Sequence, residues 1–146
     1  MKMHLISALS LFSTFALQAQ DLPQSAVPAL VINTLQQQFQ PPANVEWEKK
    51  GELYEAEFGR GTKDNHVWLD ASGKVLKHSE EMKENELPAA VKSAITRQYG
   101  KSRLEDIDKI EESGKITYKM EVKNKTIKRK VLINQEGKVL EERMDD

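Results

Sequence analysis

The sequence predicts an α+β fold of two tandem repeats, each with one α-helix followed by a four-stranded antiparallel β-sheet. Three observations lead to this fold class. A segment of about 60 residues recurs within the 146-residue chain. Within each copy the spacing of apolar residues changes once, from a period of 3.6 to a period of 2. The composition, 38% hydrophobic and 31% charged, is that of a folded globular chain.

The N-terminal stretch is typical of a secretory signal peptide. Lys2 and His4 precede an uncharged run from Leu5 to Leu17. As a helix this run would rise about 20 Å, less than the ~30 Å hydrocarbon layer, so a membrane anchor is the weaker interpretation. A buried N-terminal helix is the other alternative. We expect cleavage after Ala19, a periplasmic or secreted protein, and no membrane span in the mature chain.

Self-comparison of the sequence locates the two repeats. The segment Val27–Phe39 aligns with Leu87–Tyr99 at an offset of 60, and Val67–Leu76 aligns with Val131–Leu140 at an offset of 64. The polar stretch Ser79–Asn85 lies between the copies and is predicted to be a hinge. We therefore divide the chain into a signal peptide over residues 1–19, a first repeat over 20–82 and a second repeat over 83–146.

Each repeat is predicted to begin with an amphipathic helix. Pro28 and Pro88 suit the first helical turn, where a missing backbone N–H costs nothing. Apolar residues then recur on one face and end in an aromatic residue, Phe39 or Tyr99. This periodicity predicts two helices that each cover one face of a sheet.

Strands and a hairpin follow each helix. The hairpins are predicted to turn at residues 70–73 and 134–137, because Asp or Asn opening a turn and Gly closing it suit a type I turn with a glycine bulge. The preceding strands are predicted over residues 45–49 and 53–58 in the first repeat, and over 104–111 and 115–122 in the second.

The face that the helix leaves uncovered is predicted to carry more than polar residues. In the register set by the turns, the residues opposite each other on this face are Trp68 and Leu76, His66 and His78, and Leu132 and Leu140. A sheet covered by one layer of helix normally has a polar second face. The apolar pairs therefore need a partner layer, either the sheet of the other repeat or a second protein.

Several motifs resemble the PepSY-like domains of exported bacterial proteins. They are the helix-opening Val27-Pro28, the segment Val45–Glu48, the strand Tyr54–Phe58 and the hairpin Trp68–Lys74. The resemblance covers residues 22–144. It implies a fold related to that of a beta-lactamase inhibitor protein, no catalytic residues, and binding of proteins through the open sheet.

The second repeat departs from this pattern at two aromatic positions. Ile107 stands near the place of Trp47, and Leu132 replaces Trp68. Binding that depends on an aromatic side chain is therefore expected in the first repeat only.

The combined interpretation is an exported, non-enzymatic module that binds a protein or peptide of the cell envelope, with inhibition as one form this binding could take. The residues expected to contact the partner are Trp68, Leu76, His66, His78, Leu132 and Leu140. No cofactor is expected, because the sequence contains no cysteine, no Gly-x-Ser-x-Gly elbow, no Gly-rich phosphate loop and no His-Glu-x-x-His motif. The alternative function is an envelope sensor that binds a metal or small ligand through His66 and His78.

The two repeats differ in the sign of their charge. Residues 20–82 carry 6 basic and 10 acidic side chains, and residues 83–146 carry 15 and 13. Nucleic acid is disfavoured by the export signal, the acidic balance and the absence of aromatics among the basic residues. The basic run over residues 119–130 could instead attract an acidic partner, and the oppositely charged repeats could attract each other.

Overall fold

The computed structural model describes residues 19–125 and 127–145, so the predicted signal peptide lies almost entirely outside the described residues. Nine strands are present in these ranges: β1 (Gln20–Leu22), β2 (Glu46–Lys50), β3 (Leu53–Arg60), β4 (Lys63–Leu69), β5 (Val75–Glu81), β6 (Arg103–Glu112), β7 (Lys115–Asn124), β8 (Ile127–Asn134) and β9 (Val139–Asp145). The helices are α1 (Ala29–Phe39) and α2 (Ala89–Tyr99). None of the described helices is long and apolar enough to cross a membrane.

All nine strands form one antiparallel sheet in chain order. The repeats join where β5 pairs with β6, with Ser79 opposite Ile110. The expectation of two separate four-stranded sheets is therefore corrected, although each helix is followed by four strands as predicted. The polar stretch predicted as a hinge belongs in part to β5, and β1 adds a ninth strand beside β2. The division of the chain between residues 82 and 83 stays a prediction.

Both helices begin at the predicted prolines. The backbone N–H groups of Val31 and Val91 donate to the carbonyl oxygens of Pro28 and Pro88 at 3.0 and 3.1 Å. Proline fits there because the first helical turn has no use for its missing N–H. The two aligned segments thus fold alike.

The two helices cover the same face of the sheet. Residues opposite each other in adjacent strands project from one face. A continuous row of such residues runs from Phe58 through Asn65, Glu80 and Lys109 to Tyr118. Phe58 packs in the hydrophobic core beneath α1, and Tyr118 packs in the core beneath α2. The opposite face of the sheet is consequently uncovered by either helix, and we call it the open face.

The hairpin turns have the predicted form. The backbone N–H of Gly73 donates to the carbonyl oxygen of Asp70 at 3.0 Å. The Asp70 carboxylate accepts hydrogen bonds from the backbone N–H groups of Ser72 and Lys74 at 2.9 and 3.0 Å. Asn134 binds the second turn in the same way. These bonds hold each turn in the conformation that a glycine bulge requires.

The strand register differs from the prediction one residue beyond each turn. Leu69 lies opposite Val75, as expected, but Trp68 lies opposite Lys77. Leu76 is therefore an extra residue on β5. A β-bulge of this kind shifts every later pair by one position. The predicted pairing of Trp68 with Leu76 is wrong for this reason.

The second hairpin has the same irregularity. Ile133 lies opposite Val139, and Leu132 lies opposite Glu141. Leu140 is the extra residue there, so its predicted pairing with Leu132 is also wrong.

Candidate functional site

Trp68 is the largest side chain on the open face. It stands between Val67 and Leu69, both fully buried on the helix side, so its own side chain projects from the other face. Its neighbours across the sheet are Glu55 on β3 and Lys77 on β5. Trp68 is half-buried and belongs to neither hydrophobic core. The predicted location of this indole on the uncovered face agrees with the structure.

Two neighbours hold the indole in place. The imidazole of His66 stacks on it, with ring centroids 5.8 Å apart and planes inclined by 18°. The ammonium group of Lys77 lies 4.6 Å from the centroid of the indole ring. Such contacts of an aromatic ring with a cation contribute about 0.5–1 kcal/mol at exposed sites. The indole is therefore partly ordered before any partner arrives.

A buried carboxylate lies beside this stack. Glu55 is only 4% exposed although its strand position is on the open face. Its Oε1 lies 2.8 Å from Nδ1 of His66, and its Oε2 contacts the ammonium group of Lys50. Buried carboxylates need such partners, because removing a charge from water is costly. We call Lys50, Glu55, His66, Trp68 and Lys77 the Trp68 cluster.

Half-buried apolar side chains continue the open face towards the second repeat. Ile110 lies opposite Ser79, where the two repeats join. Leu132 stands between the buried Val131 and Ile133 and therefore projects from the open face. Sequence reasoning found Leu132 and missed Ile110. A β-bulge near Asp106 interrupts the alternation along β6, so the sequence pattern does not assign a face to Ile110.

The charge on the open face changes across the sheet. Acidic side chains dominate on the first three long strands, namely Glu46, Glu48, Glu55, Glu57 and Asp64. Lysines are more frequent on β7 and β8, and they take part in ion pairs with neighbouring carboxylates. The shortest of these that join different strands are Lys128 with Glu121 at 3.0 Å and Lys119 with Asp108 at 3.1 Å, besides the contact of Lys123 with Glu105. The open face is therefore acidic at one end and richer in lysine at the other.

His78 lies on the helix side rather than on the open face. It is opposite the buried Val67, and its ring packs edge-on against Phe39 with centroids 4.9 Å apart. Its Nε2 is 3.0 Å from Oδ1 of Asn65. Burial lowers the pKa of the His78 imidazole below its ordinary value, because the charged form loses its hydration.

The predicted pairing of His66 with His78 is consequently wrong. The β-bulge places His66 opposite Ser79, and the two imidazoles project from opposite faces of the sheet. Between residues 19 and 145, leaving residue 126 aside, no group of three or more His, Asp or Glu side chains is arranged to hold a metal ion. The geometry on which the metal-binding alternative depended is therefore absent.

The six residues predicted to contact a partner thus fall into two groups. Trp68, His66 and Leu132 lie on the open face. Leu76 lines an open groove together with Phe39 and His78. Leu140 lies on the outermost strand, where 45% of it is exposed.

The second repeat has a polar group equivalent to His78. The Tyr99 hydroxyl donates to the Glu142 carboxylate at 2.8 Å, and Arg129 contacts the same carboxylate at 3.1 Å. Burial and this hydrogen bond raise the pKa of Tyr99 to about 12. Tyr99 and Glu142 align with Phe39 and His78 of the first repeat. An aromatic ring over a polar strand residue therefore occurs at the end of both helices.

Comparison with known proteins agrees with this architecture. The model of a family described as "Putative beta-lactamase-inhibitor-like, PepSY-like" matches residues 15–77 and 52–141. A similar fold is found in a protein described as BLIP-like from Bacteroides fragilis, with 23% identity, a TM-score of 0.69, and coverage of 84% of this chain and 87% of that chain. A search of curated proteins found no match.

Two further solved structures have the same fold. One is described as "putative periplasmic proteins" from Bacteroides eggerthii, with 19% identity, a TM-score of 0.71, and coverage of 81% of this chain and 88% of that chain. The other is a DUF2874 family protein from Bacteroides ovatus, with 18% identity, a TM-score of 0.71, and coverage of 86% and 89%. At these identities the likeness concerns the fold alone.

Proposed function

Because the chain belongs to the family of beta-lactamase-inhibitor-like, PepSY-like domains, we propose that it is an exported, non-enzymatic module that binds a protein or peptide of the cell envelope on its open face. The observation that carries this proposal is the position of Trp68, an indole outside both cores on the face that neither helix covers. The periplasmic description of the Bacteroides eggerthii neighbour supports export, with cleavage after Ala19.

The chemistry of the Trp68 cluster supports recognition of a macromolecule. Tryptophan is among the residues that contribute most to protein interfaces, because it buries a large apolar area and carries an N–H donor. His66 and Lys77 already restrict the indole, so less conformational entropy is lost on binding. Ile110 and Leu132 extend the apolar surface across the join between the repeats.

A capture experiment with matched variants tests the face. The mature chain, residues 20–146, is immobilised and exposed to envelope extract, the captured protein is identified, and its affinity is then measured with purified components. Trp68→Ala should weaken the affinity at least 30-fold, which corresponds to about 2 kcal/mol at a central interface residue. Leu30→Ala is the control, since Leu30 is 61% exposed on α1, on the covered side of the sheet. Equal loss in both variants would contradict the proposal.

Fluorescence gives a direct readout, because the chain contains two tryptophans. Trp47 is 4% exposed in the first core, so Trp47→Phe leaves the indole of Trp68 as the sole fluorophore. The captured partner should protect this indole from quenching by acrylamide. Quenching that a saturating partner leaves unchanged would exclude the open face around Trp68 as the binding site.

Stability measurements separate a binding role from a structural one. Trp68→Ala should change the thermal midpoint by only about 2 °C or less, since few buried contacts are lost. Trp47→Ala should cost about 3–5 kcal/mol, as large-to-small changes in a core do. A fall of many degrees in Trp68→Ala would mean that the indole stabilises the fold instead.

A further inference from the structure

The last strand of the sheet, β9, is an uncapped edge. It has seven residues and pairs only with β8 in the described part of the chain. The opposite edge, β1, has three residues. An edge strand presents a row of unpaired backbone N–H and C=O groups, which can pair with another strand. β9 therefore offers the longer template for strand addition.

Apolar side chains are exposed on this edge. Four large hydrophobic residues of the described chain are exposed, and two of them, Leu140 at 45% and Met144 at 52%, lie on β9. Between them stand two acidic residues and one basic residue, Glu141, Glu142 and Arg143. Edge strands that avoid association usually carry charges that repel a copy of themselves. The order of charges on β9 has the opposite effect.

We infer that β9 pairs antiparallel with β9 of a second copy of this chain, about a two-fold axis at Glu142. In this register Leu140 lies opposite Met144 of the second copy, and Glu141 lies opposite Arg143 of the second copy. Symmetry repeats each pair, so the contact contains two apolar pairs and two pairs of opposite charge. Cross-strand pairs of both kinds stabilise a sheet.

The neighbouring registers are less favourable. An axis at Glu141 places two glutamates opposite each other, and an axis at Arg143 places two arginines opposite each other. Like charges directly opposite destabilise paired strands. A slip of the axis by one residue along β9 would therefore replace attraction with repulsion, so the sequence of β9 specifies a single symmetric register.

Two side chains at the axis already have partners within the chain. The Glu142 carboxylate accepts a hydrogen bond from Tyr99 and contacts Arg129, which offsets the approach of two copies of Glu142. Arg143 interacts within its own chain. Its guanidinium carries five N–H donors, so it can bind a second carboxylate as well.

A second copy fits this edge because the chain itself supplies both halves of the complementarity. Two-fold dimers with the same patch on both subunits are the commonest oligomers. The backbone of each strand provides hydrogen bonds, and the side chains select the register. The contact is small, so the dissociation constant is expected on the order of 10–100 µM. The open face stays uncovered in this dimer.

Sedimentation equilibrium with charge-reversal variants tests the pairing. The mature chain is examined from about 1 µM to about 1 mM, a range that brackets the expected dissociation constant. Glu141→Arg and Arg143→Glu should each weaken dimerisation at least tenfold, because each turns attraction into repulsion. The double variant Glu141→Arg/Arg143→Glu should restore it to within about threefold. Circular dichroism and thermal midpoints check that all variants fold.

Hydrogen exchange provides a second readout that needs no substitution. The amides of β9 should exchange more slowly at high protein concentration, and those of β1 should not. A wild-type chain that stays monomeric at about 1 mM overturns the inference. A dimer that either single variant leaves unchanged, or that the double variant fails to restore, also overturns it. Trp68→Ala should leave the dimer intact, so this test and that of the open face fail independently.

Discussion

Replacing Gly73 with alanine should destabilise the protein far more than the same change at Gly61. Both glycines have positive φ angles, 84° and 64°. A Cβ at Gly73 would lie 2.7 Å from the carbonyl oxygen of Leu30 and 2.8 Å from Oγ1 of Thr34. A Cβ at Gly61 would meet no atom within 4 Å. The two substitutions therefore share the backbone strain and differ in the contact with α1.

The expected magnitudes follow from these two terms. Holding alanine in the left-handed region costs about 1 kcal/mol at either position. At Gly73 the hairpin must also move away from α1, because the backbone oxygen of Leu30 cannot rotate aside. Forcing an extra carbon into a packed contact costs about 1–3 kcal/mol. We expect a loss of about 3 kcal/mol for Gly73→Ala and about 1 kcal/mol for Gly61→Ala.

Urea unfolding measures the difference. The midpoint should shift at constant slope, since the surface exposed on unfolding is unchanged. The second repeat supplies an independent comparison, because a Cβ at Gly137 would lie 2.6 Å from the carbonyl oxygen of Ala90, whereas one at Gly114 would meet nothing within 4 Å. If Gly73→Ala costs no more than Gly61→Ala, the hairpin turn does not pack against α1 and the reasoning is refuted.

Two further predictions concern the polar groups at the ends of the helices. Burial lowers the pKa of His78 below its ordinary value of 6.5, so protonation favours the unfolded chain. The free energy of unfolding should therefore fall as the pH drops below about 6.5 towards the lower folded pKa, and urea titrations of His78→Gln should lack this part of the decrease; an unchanged slope would contradict it. Tyr99→Phe removes the hydroxyl that donates to Glu142, and a double-mutant cycle with Glu142→Gln should give a coupling of about 1 kcal/mol, where a value near zero would mean no net contribution from this bond.

The features that the sequence predicted correctly are set by local chemistry. Pro28 and Pro88 mark helix starts because proline suits only the first turn of a helix. Asp70 and Gly73 define the turn because one binds the backbone N–H groups and the other adopts a positive φ. Each of these signals is contained in a few consecutive residues, so no knowledge of the rest of the fold is needed.

The position of a β-bulge is not contained in such a pattern. Val75 and Leu76 are consecutive apolar residues, and either could continue the alternation that begins at the turn. A period of 2 assigns faces only while the strand stays regular. The extra residue at Leu76 moved His78 to the helix side, so both the histidine pair and the apolar pair were assigned incorrectly.

The joining of the two repeats into one sheet also leaves little local signal. The end of β5 is polar and was predicted to be a hinge. In the sheet, Glu80 lies opposite Lys109 of β6, and this pair of opposite charges makes a polar strand acceptable at the join. Only the pairing of residues that are distant in sequence reveals this compensation.

The two repeats share their helix side and differ on their open face. Aromatic residues, turn glycines and core positions match between the copies, because each helix must pack on the same hairpin. On the open face the first repeat has Trp68, Glu55 and His66 where the second has Leu132, Lys119 and Lys130. Packing does not require this divergence. On the proposed function, a partner that spans both repeats would need basic groups above the carboxylates of the first and acidic groups above the lysines of the second, because opposite charges guide and orient binding.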